Sequence, residues 1–325
     1  MMGVVILGTG SCLPAKIVTN HDLEKIVDTS DEWIQTRTGI RTRHVCGQDE
    51  QTYNLAVEAG QRALDAAGVT ADEIGLIIVA TMSSHTLMPA SACLVQRDLG
   101  AVNAFAYDIN AACSGFLFAL DLGYRYVQAD HGMKILVIGA ENLSSRLNWS
   151  DRNTCILFGD GAGAAVVGYR EGKSGYMGSR LLSDGHLWKL LYMYAPKSSN
   201  PQIVTDDHPG THIVMEGREV FKYAVKAMED AIHGVLAKEG VALDDVKLLI
   251  PHQANIRILN KLAERLAIDK ERVCINVSEY GNTSAASIPI ALDEAVRSGR
   301  ILQDDLVLLC SFGGGFTWGA TLIKW

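Results

Sequence analysis

Cys113 sits in Asn-Ala-Ala-Cys-Ser-Gly-Phe, where an apolar strand-like segment gives way to a helix-like one. At such a turn a side chain meets the helix N-terminus, whose free N–H groups and dipole favour an anion, so the setting predicts a lowered thiol pKa. Its neighbours Ala111, Ala112, Ser114 and Gly115 are small enough to let a substrate carbonyl approach. His252 follows the apolar run Leu248–Pro251, and the C-terminal ends of strands are where α/β sheets place ligands. Asn282 stands between Gly281 and Thr283-Ser284. Together these side chains suit acyl transfer: a thiolate attacks a thioester, and His and Asn donate to a developing oxyanion. Each has a plainer reading by itself. A Cys is often a small buried apolar residue, a strand-end His a hydrogen-bonded structural group, and an Asn before a helix its N-cap. Cys12, Cys46, Cys93, Cys155, Cys274 and Cys310 take the plain reading.

The elements that must position the three residues repeat. Ile109–Asp121 (INAACSGFLFALD) aligns with Gly281–Asp293 (GNTSAASIPIALD), and Asn110 falls on Asn282 at an offset of 282 − 110 = 172. At the same offset Leu76–Val79 falls on Leu248–Pro251 and Ile135–Val137 on Val307–Leu309. The chain therefore reads as two fused copies of one unit, 1–171 with the Cys and 172–325 with the His and Asn. A pseudo-twofold junction can bring all three together. Strand–helix alternation through both copies predicts α/β layers. Expected strands include Gly3–Leu7, Ile74–Ala80, Phe105–Ile109, Lys134–Gly139, Val246–Ile250, Val273–Val277 and Leu306–Ser311. Expected helices include Tyr53–Ala67, Glu216–Lys238, Asn255–Leu266 and Ser284–Ser298. Ser183–Pro209 is polar and aperiodic, an expected insertion near the substrate.

Composition narrows the function. Of 325 residues, 48% are hydrophobic and 20% charged, an ordinary globular balance. A net charge of −8 argues against a nucleic-acid surface. Seven Cys with no CxxC pair and no zinc-like spacing point to a reduced, cytoplasmic setting without structural metal. No apolar run is long enough to span a bilayer. Gly8-Thr9-Gly10 lacks the third glycine and immediate helix of a dinucleotide site.

The chain resembles the β-ketoacyl-acyl carrier protein synthase III family, the initiating condensing enzymes of type II fatty acid synthesis, in the thiolase-like superfamily. The resemblance spans nearly the whole length. It rests on Gly8-Thr9-Gly10-Ser11, Ser30–Ile34, Arg37–Ile40, Phe158–Gly163, Met215-Glu216-Gly217, Pro251–Asn255, Gly281–Ser284 and Phe312–Trp318. It implies an α/β, thiolase-like five-layer α-β-α-β-α fold and a homodimer. The implied reaction is condensation of a short acyl-coenzyme A with malonyl-acyl carrier protein, without a cofactor. Cys113 would accept the acyl group, His252 and Asn282 would serve decarboxylation, and the N–H groups of Cys113 and Gly315 would form the oxyanion hole. Trp33 and Arg152 match the pair that sandwiches the coenzyme A adenine, with Arg37 beside them in a shared motif. Phe221 and Asn255 match the pantetheine tunnel, and Arg257 a carrier-protein docking residue. Arg257, Lys261 and Arg265 recur every four residues, so on a helix they share one basic face, which Lys222 extends.

Met88 stands where several relatives carry Phe, at a point that reaches towards the partner subunit's acyl pocket, leaving primer length open. Three other readings compete. A secondary-metabolite condensing enzyme would use another primer, and a cysteine thioester hydrolase would need a wet site. An acyl-binding scaffold would not need all three polar residues.

Overall fold

A computed structural model describes residues 3–172, 175–195 and 210–325. The strand Ile74–Ala80 shows why an uninterrupted apolar run belongs here. Leu76 and Ile78 join one hydrophobic cluster while Ile77 and Val79 join another, so both faces are covered. This strand lies in a five-stranded sheet in the order Val4–Cys12, Gly161–Tyr169, Lys134–Glu141, Ile74–Ala80, Phe105–Ile109. A four-stranded sheet runs Val246–Pro251, Leu306–Gly313, Thr317–Lys324, Tyr176–Ser183.

Helices Gly115–Ala129 and Ser287–Arg297 fill the space between the sheets. Their Phe116, Leu120, Ile288 and Leu292 share one core with Leu76 and Val137 of the first sheet and Leu248 and Leu309 of the second. Helices Thr52–Ala67 and Ser91–Leu99 cover the outer face of the first sheet. Gly217–Glu239 and Ile256–Leu266 cover that of the second. The layers run α-β-α-β-α, as the family resemblance implies.

The offset of 172 recurs in the pairing. Leu76 lies opposite Ile135 in one parallel pair of strands and Leu248 opposite Val307 in the other. Ala112 and Ser284 also stand 172 apart, and both take a left-handed φ, 46° and 48°. Each donates its N–H to the Asn two residues earlier, Ala112 to Asn110 Oδ1 at 3.0 Å and Ser284 to Asn282 Oδ1 at 2.9 Å.

Several expectations change. Val273–Val277 is not a strand: Val273 makes one parallel bridge to Leu249, and Val277–Tyr280 is a short helix. Gln253 Oε1 accepts the N–H groups of Asn276 and Val277 at 3.0 and 3.2 Å, which takes these donors away from a sheet ladder. The second central helix starts at Ser287, after a 3-10 turn at Ser284–Ala286. The strand Gly161–Tyr169 escapes a hydrophobicity reading because its residues are mostly Gly and Ala. Within the expected insertion, Gly185–Leu190 forms a 3-10 helix and Leu191–Met193 a strand, while residues 196–209 lie outside the described residues. All seven cysteines are unpaired. Among the described residues no helix is long and apolar enough to cross a membrane.

Each inner strand ends against a turn from the other half. A Cβ at Gly139 would lie 2.2 Å from Ala285 O, and one at Gly313 would lie 2.6 Å from Cys113 N. Both obstacles are backbone and cannot turn aside. Gly139→Ala is therefore expected to destabilise the protein by about 1–3 kcal/mol, the usual range for overpacking. Thermal and denaturant unfolding would measure this, and an unchanged midpoint would contradict the close approach.

Candidate active site

Cys113 lies in the 3-10 turn Ala112–Ser114 that leads into the helix Gly115–Ala129. The left-handed φ of Ala112 bends the chain just before it. Ser311 Oγ donates to Cys113 O at 2.8 Å, tying the turn to the strand Leu306–Gly313. His252 follows the strand Val246–Pro251 and donates its backbone N–H to Cys310 O at 2.8 Å. Asn282 donates its N–H to Leu157 O at 2.8 Å, and its Oδ1 is committed to Ser284. The Asn282 amide NH₂ is thus the group left to donate. Cys113, His252 and Asn282 line one cavity of about 440 Å³, with Gly314 and Gly315 at its wall and largely apolar surroundings including Met82, Phe158 and Val220.

Burial sets the resting charges. It pushes the Cys113 thiol up to about 12; the Ser284 hydroxyl works against that rise, and the Glu141 carboxyl adds to it. The lowered thiol expected from the helix N-terminus is therefore corrected: desolvation wins and the resting residue is a thiol. Burial also drives His252 down to about 3, so its imidazole is neutral at any working pH. His252 Nδ1 lies 2.7 Å from Ser287 Oγ, which also accepts the Gln253 N–H at 3.4 Å. A hydroxyl already accepting there has its own proton free for Nδ1. That assignment places the imidazole proton on Nε2.

An outer recess of about 880 Å³ is lined by Trp33, Arg37, Phe221, Asn255 and Arg257. It shares Leu157, Ile213, Met215, Gly217 and Asn255 with the inner cavity, so the two are continuous. Asn255 also caps the helix Ile256–Leu266, accepting the Ile258 N–H at 3.0 Å. Trp33 lies under two guanidinium groups, with Arg37 Cζ 4.5 Å and Arg152 Cζ 5.1 Å from its ring centre. A base held between Trp33 and Arg152 needs about 7 Å, two van der Waals spacings. The expected slot is closed on itself here, with Arg152 held by Asp28 O at 3.0 Å, and it opens only if Arg152 swings away.

The basic face is also weaker than its spacing suggests. Lys261 pairs with Glu264 at 2.6 Å, Arg265 with Glu229 at 2.6 Å and Lys222 with Glu219 at 2.7 Å. Arg257 has no carboxylate partner among the described residues and lies 6.0 Å from the Phe221 ring centre. Arg218, missed in the sequence, lines the same recess as Arg37 and Arg257. Its position right after Met215-Glu216-Gly217 was the available signal. Met88 is 88% exposed and does not line the cavity of its own chain, whereas Met82 from the same loop does.

Family models for 3-oxoacyl-[acyl-carrier-protein] synthase III match residues 107–185 and, for its C-terminal part, 236–325. The chain is 58% identical over 324 residues to the beta-ketoacyl-[acyl-carrier-protein] synthase III of Desulfotalea psychrophila, covering 100% of each. The crystal structure of 3-oxoacyl-[acyl-carrier-protein] synthase III from Aquifex aeolicus is similar with a TM-score of 0.93 and 48% identity, over 99% of this chain and 100% of that one. A priming beta-ketosynthase of the R1128 polyketide pathway is similar at 35% identity and a TM-score of 0.92, over 99% of this chain and 96% of that one. With identity this high across its full length, the chain belongs to the β-ketoacyl-acyl carrier protein synthase III family.

Proposed function

We propose that the protein joins the acyl group of a short acyl-coenzyme A to malonyl-acyl carrier protein, releasing carbon dioxide and starting fatty acid synthesis. The convergence of Cys113, His252 and Asn282 in one apolar cavity, open to the surface through a recess, carries this reading. Cys113 Sγ attacks the thioester carbonyl, the N–H groups of Cys113 and Gly315 receive the oxyanion, and coenzyme A leaves as its thiol. When the malonyl group follows, its carboxylate departs and the electron pair moves onto the thioester oxygen. The neutral His252 Nε2–H and the Asn282 NH₂ stabilise that enolate, each such donor being worth about 10²–10³ in rate. The enolate carbon then bonds to the acyl carbon and Cys113 is released. The scheme calls on no metal or organic cofactor. Trp33, Arg37, Arg152, Phe221 and Asn255 hold the coenzyme and pantetheine arm.

The division into halves 1–171 and 172–325 is supported by the change of sheet between Gly161–Tyr169 and Tyr176–Ser183. A cytoplasmic homodimer is the assembly we favour. The edge strand Phe105–Ile109 and the exposed Leu87, Met88 and Phe105 support it, since an uncovered edge with apolar side chains invites pairing. In that dimer Met88 would help set acyl length in the partner.

After incubation with acetyl-coenzyme A, intact mass should rise by one acetyl group, and Cys113→Ala should abolish the gain. His252→Ala and Asn282→Ala should keep most acetyl loading but lose carbon dioxide release by about a hundredfold or more. Equal loss of both steps would refute this division of labour. Because His252 is neutral above about 3, the carbon dioxide step should show no imidazole inflection between pH 5 and 8.

Carrier-protein docking centres on Arg257 at the mouth of the recess, with Lys261, Arg265 and Lys222 as secondary contacts. Exposed ion pairs are worth only about 0–1 kcal/mol, so Lys261 and Lys222 can exchange their carboxylates for an acidic partner, whereas Arg265 is held more firmly by the largely buried Glu229. Arg257→Glu should raise the KM for malonyl-acyl carrier protein at least tenfold and flatten its salt dependence, while acetyl loading stays nearly intact. Lys261→Glu should act more weakly. An unchanged KM in Arg257→Glu would place docking elsewhere.

A further inference from the structure

Glu141 ends the strand Lys134–Glu141 and has no exposed surface. Its two oxygens are treated unequally. Oε2 accepts the Ser83 hydroxyl at 2.5 Å, the Thr81 hydroxyl at 3.3 Å and the Met82 N–H at 3.3 Å. Oε1 has no hydrogen-bond partner, although it is buried. The Ser284 hydroxyl is likewise buried and makes no completed hydrogen bond. Ser284 is close enough to stabilise the charged forms of both Glu141 and Cys113. The turn Ser284–Ala286 packs against both the strand Lys134–Glu141 and the turn Ala112–Ser114, so these two uncommitted buried oxygens lie in the neighbourhood of the thiol.

The fold does not require these two side chains. At the offset of 172, Ser284 corresponds to Ala112, which makes the same left-handed turn without a hydroxyl. Glu141 corresponds to Gly313, which ends its strand without a carboxyl. A buried carboxyl with an unused oxygen is costly, so its presence on one side only calls for a use.

We propose that Glu141, acting through the Ser284 hydroxyl, is the proton acceptor that turns Cys113 into a nucleophile. This rests on the acyl-transfer reading of the site above. As Sγ bonds to the thioester carbon, the Cys113 S–H proton passes to Ser284 Oγ and the Ser284 proton passes to Glu141 Oε1. Ser284 is unchanged, one negative charge moves from the carboxylate through sulfur to the thioester oxygen facing the Cys113 and Gly315 N–H groups, and the site never holds two anions. When the carbon–sulfur bond to coenzyme A breaks, the departing sulfur shares the reacting carbon with Sγ. The proton returns to it along the same route, leaving Glu141 ionised before the malonyl group enters.

The groups facing Glu141 are the hydroxyls of Thr81, Ser83 and Ser284 and the Met82 amide; of titratable groups, the charge coupled to it is the Cys113 thiol. Burial lifts Glu141 to about 7. A base works only when deprotonated, so the step is active above that value and fades as pH falls through it.

The test follows Cys113 alkylation by iodoacetamide and acetyl loading across pH 5–9, both read by intact mass. The wild-type protein should show an inflection near 7 in both. Glu141→Gln keeps the shape and an acceptor for the Ser83 hydroxyl; it should abolish the inflection and slow loading about a hundredfold, the low end for general-base catalysis. Ser284→Ala should do the same. Loading should suffer at least tenfold more than single-turnover condensation starting from acetylated enzyme. Retention of the inflection in either folded variant, or equal slowing of loading and condensation, would overturn the relay. If acetyl transfer itself proved foreign to the protein, the alkylation profile would still decide the role of Glu141.

Discussion

The site depends on a reciprocal crossing of backbones. The strand Lys134–Glu141 runs against the turn Ser284–Ala286 of the other half, and the strand Leu306–Gly313 runs against the turn Ala112–Ser114. Gly139 and Gly313 make this possible, because any Cβ there would strike backbone atoms. Main chain packed on main chain leaves little play. The turn that carries Cys113 is gripped by the far sheet, down to the Ser311 hydroxyl on Cys113 O. Duplicated layers thereby bring together residues that are more than 130 positions apart in the chain.

Burial then decides protonation. Raising the thiol from an ordinary 9.0 to about 12 disfavours the thiolate by about 4 kcal/mol. A helix N-terminus returns at most ~2 kcal/mol even when partly buried. Desolvation therefore outweighs the dipole, and the resting group is a thiol. The same dryness keeps His252 neutral, which suits a donor to an enolate better than a base for water. It also strengthens fixed dipoles aimed at a charge that appears only during reaction. A wet hydrolytic site would offer neither advantage.

The outer surface obeys weaker rules. The recess mouth gathers Arg37, Arg218 and Arg257 on a chain whose net charge is −8. Around it, cations are already matched with local carboxylates, so the unpaired positive surface is narrower than a helical count of Lys and Arg suggests. Trp33 is pre-stacked by its arginines, which shields its ring.

Much of this was legible in the chain alone. The 172-residue offset predicted matched strands because both copies bury the same apolar runs on both faces, and Cys113, His252 and Asn282 stood out at equivalent junctions. Periodicity could not reveal the strand Gly161–Tyr169, whose small residues matter through packing rather than hydrophobicity. Nor could it show that Gln253 withdraws two N–H groups and dissolves the expected strand at Val273–Val277. The direction of the Cys113 shift, the free oxygen of Glu141 and the pairing of the basic face were decided only by tertiary structure. Each depends on how much water and which partners surround a group, and those neighbours come from distant parts of the chain.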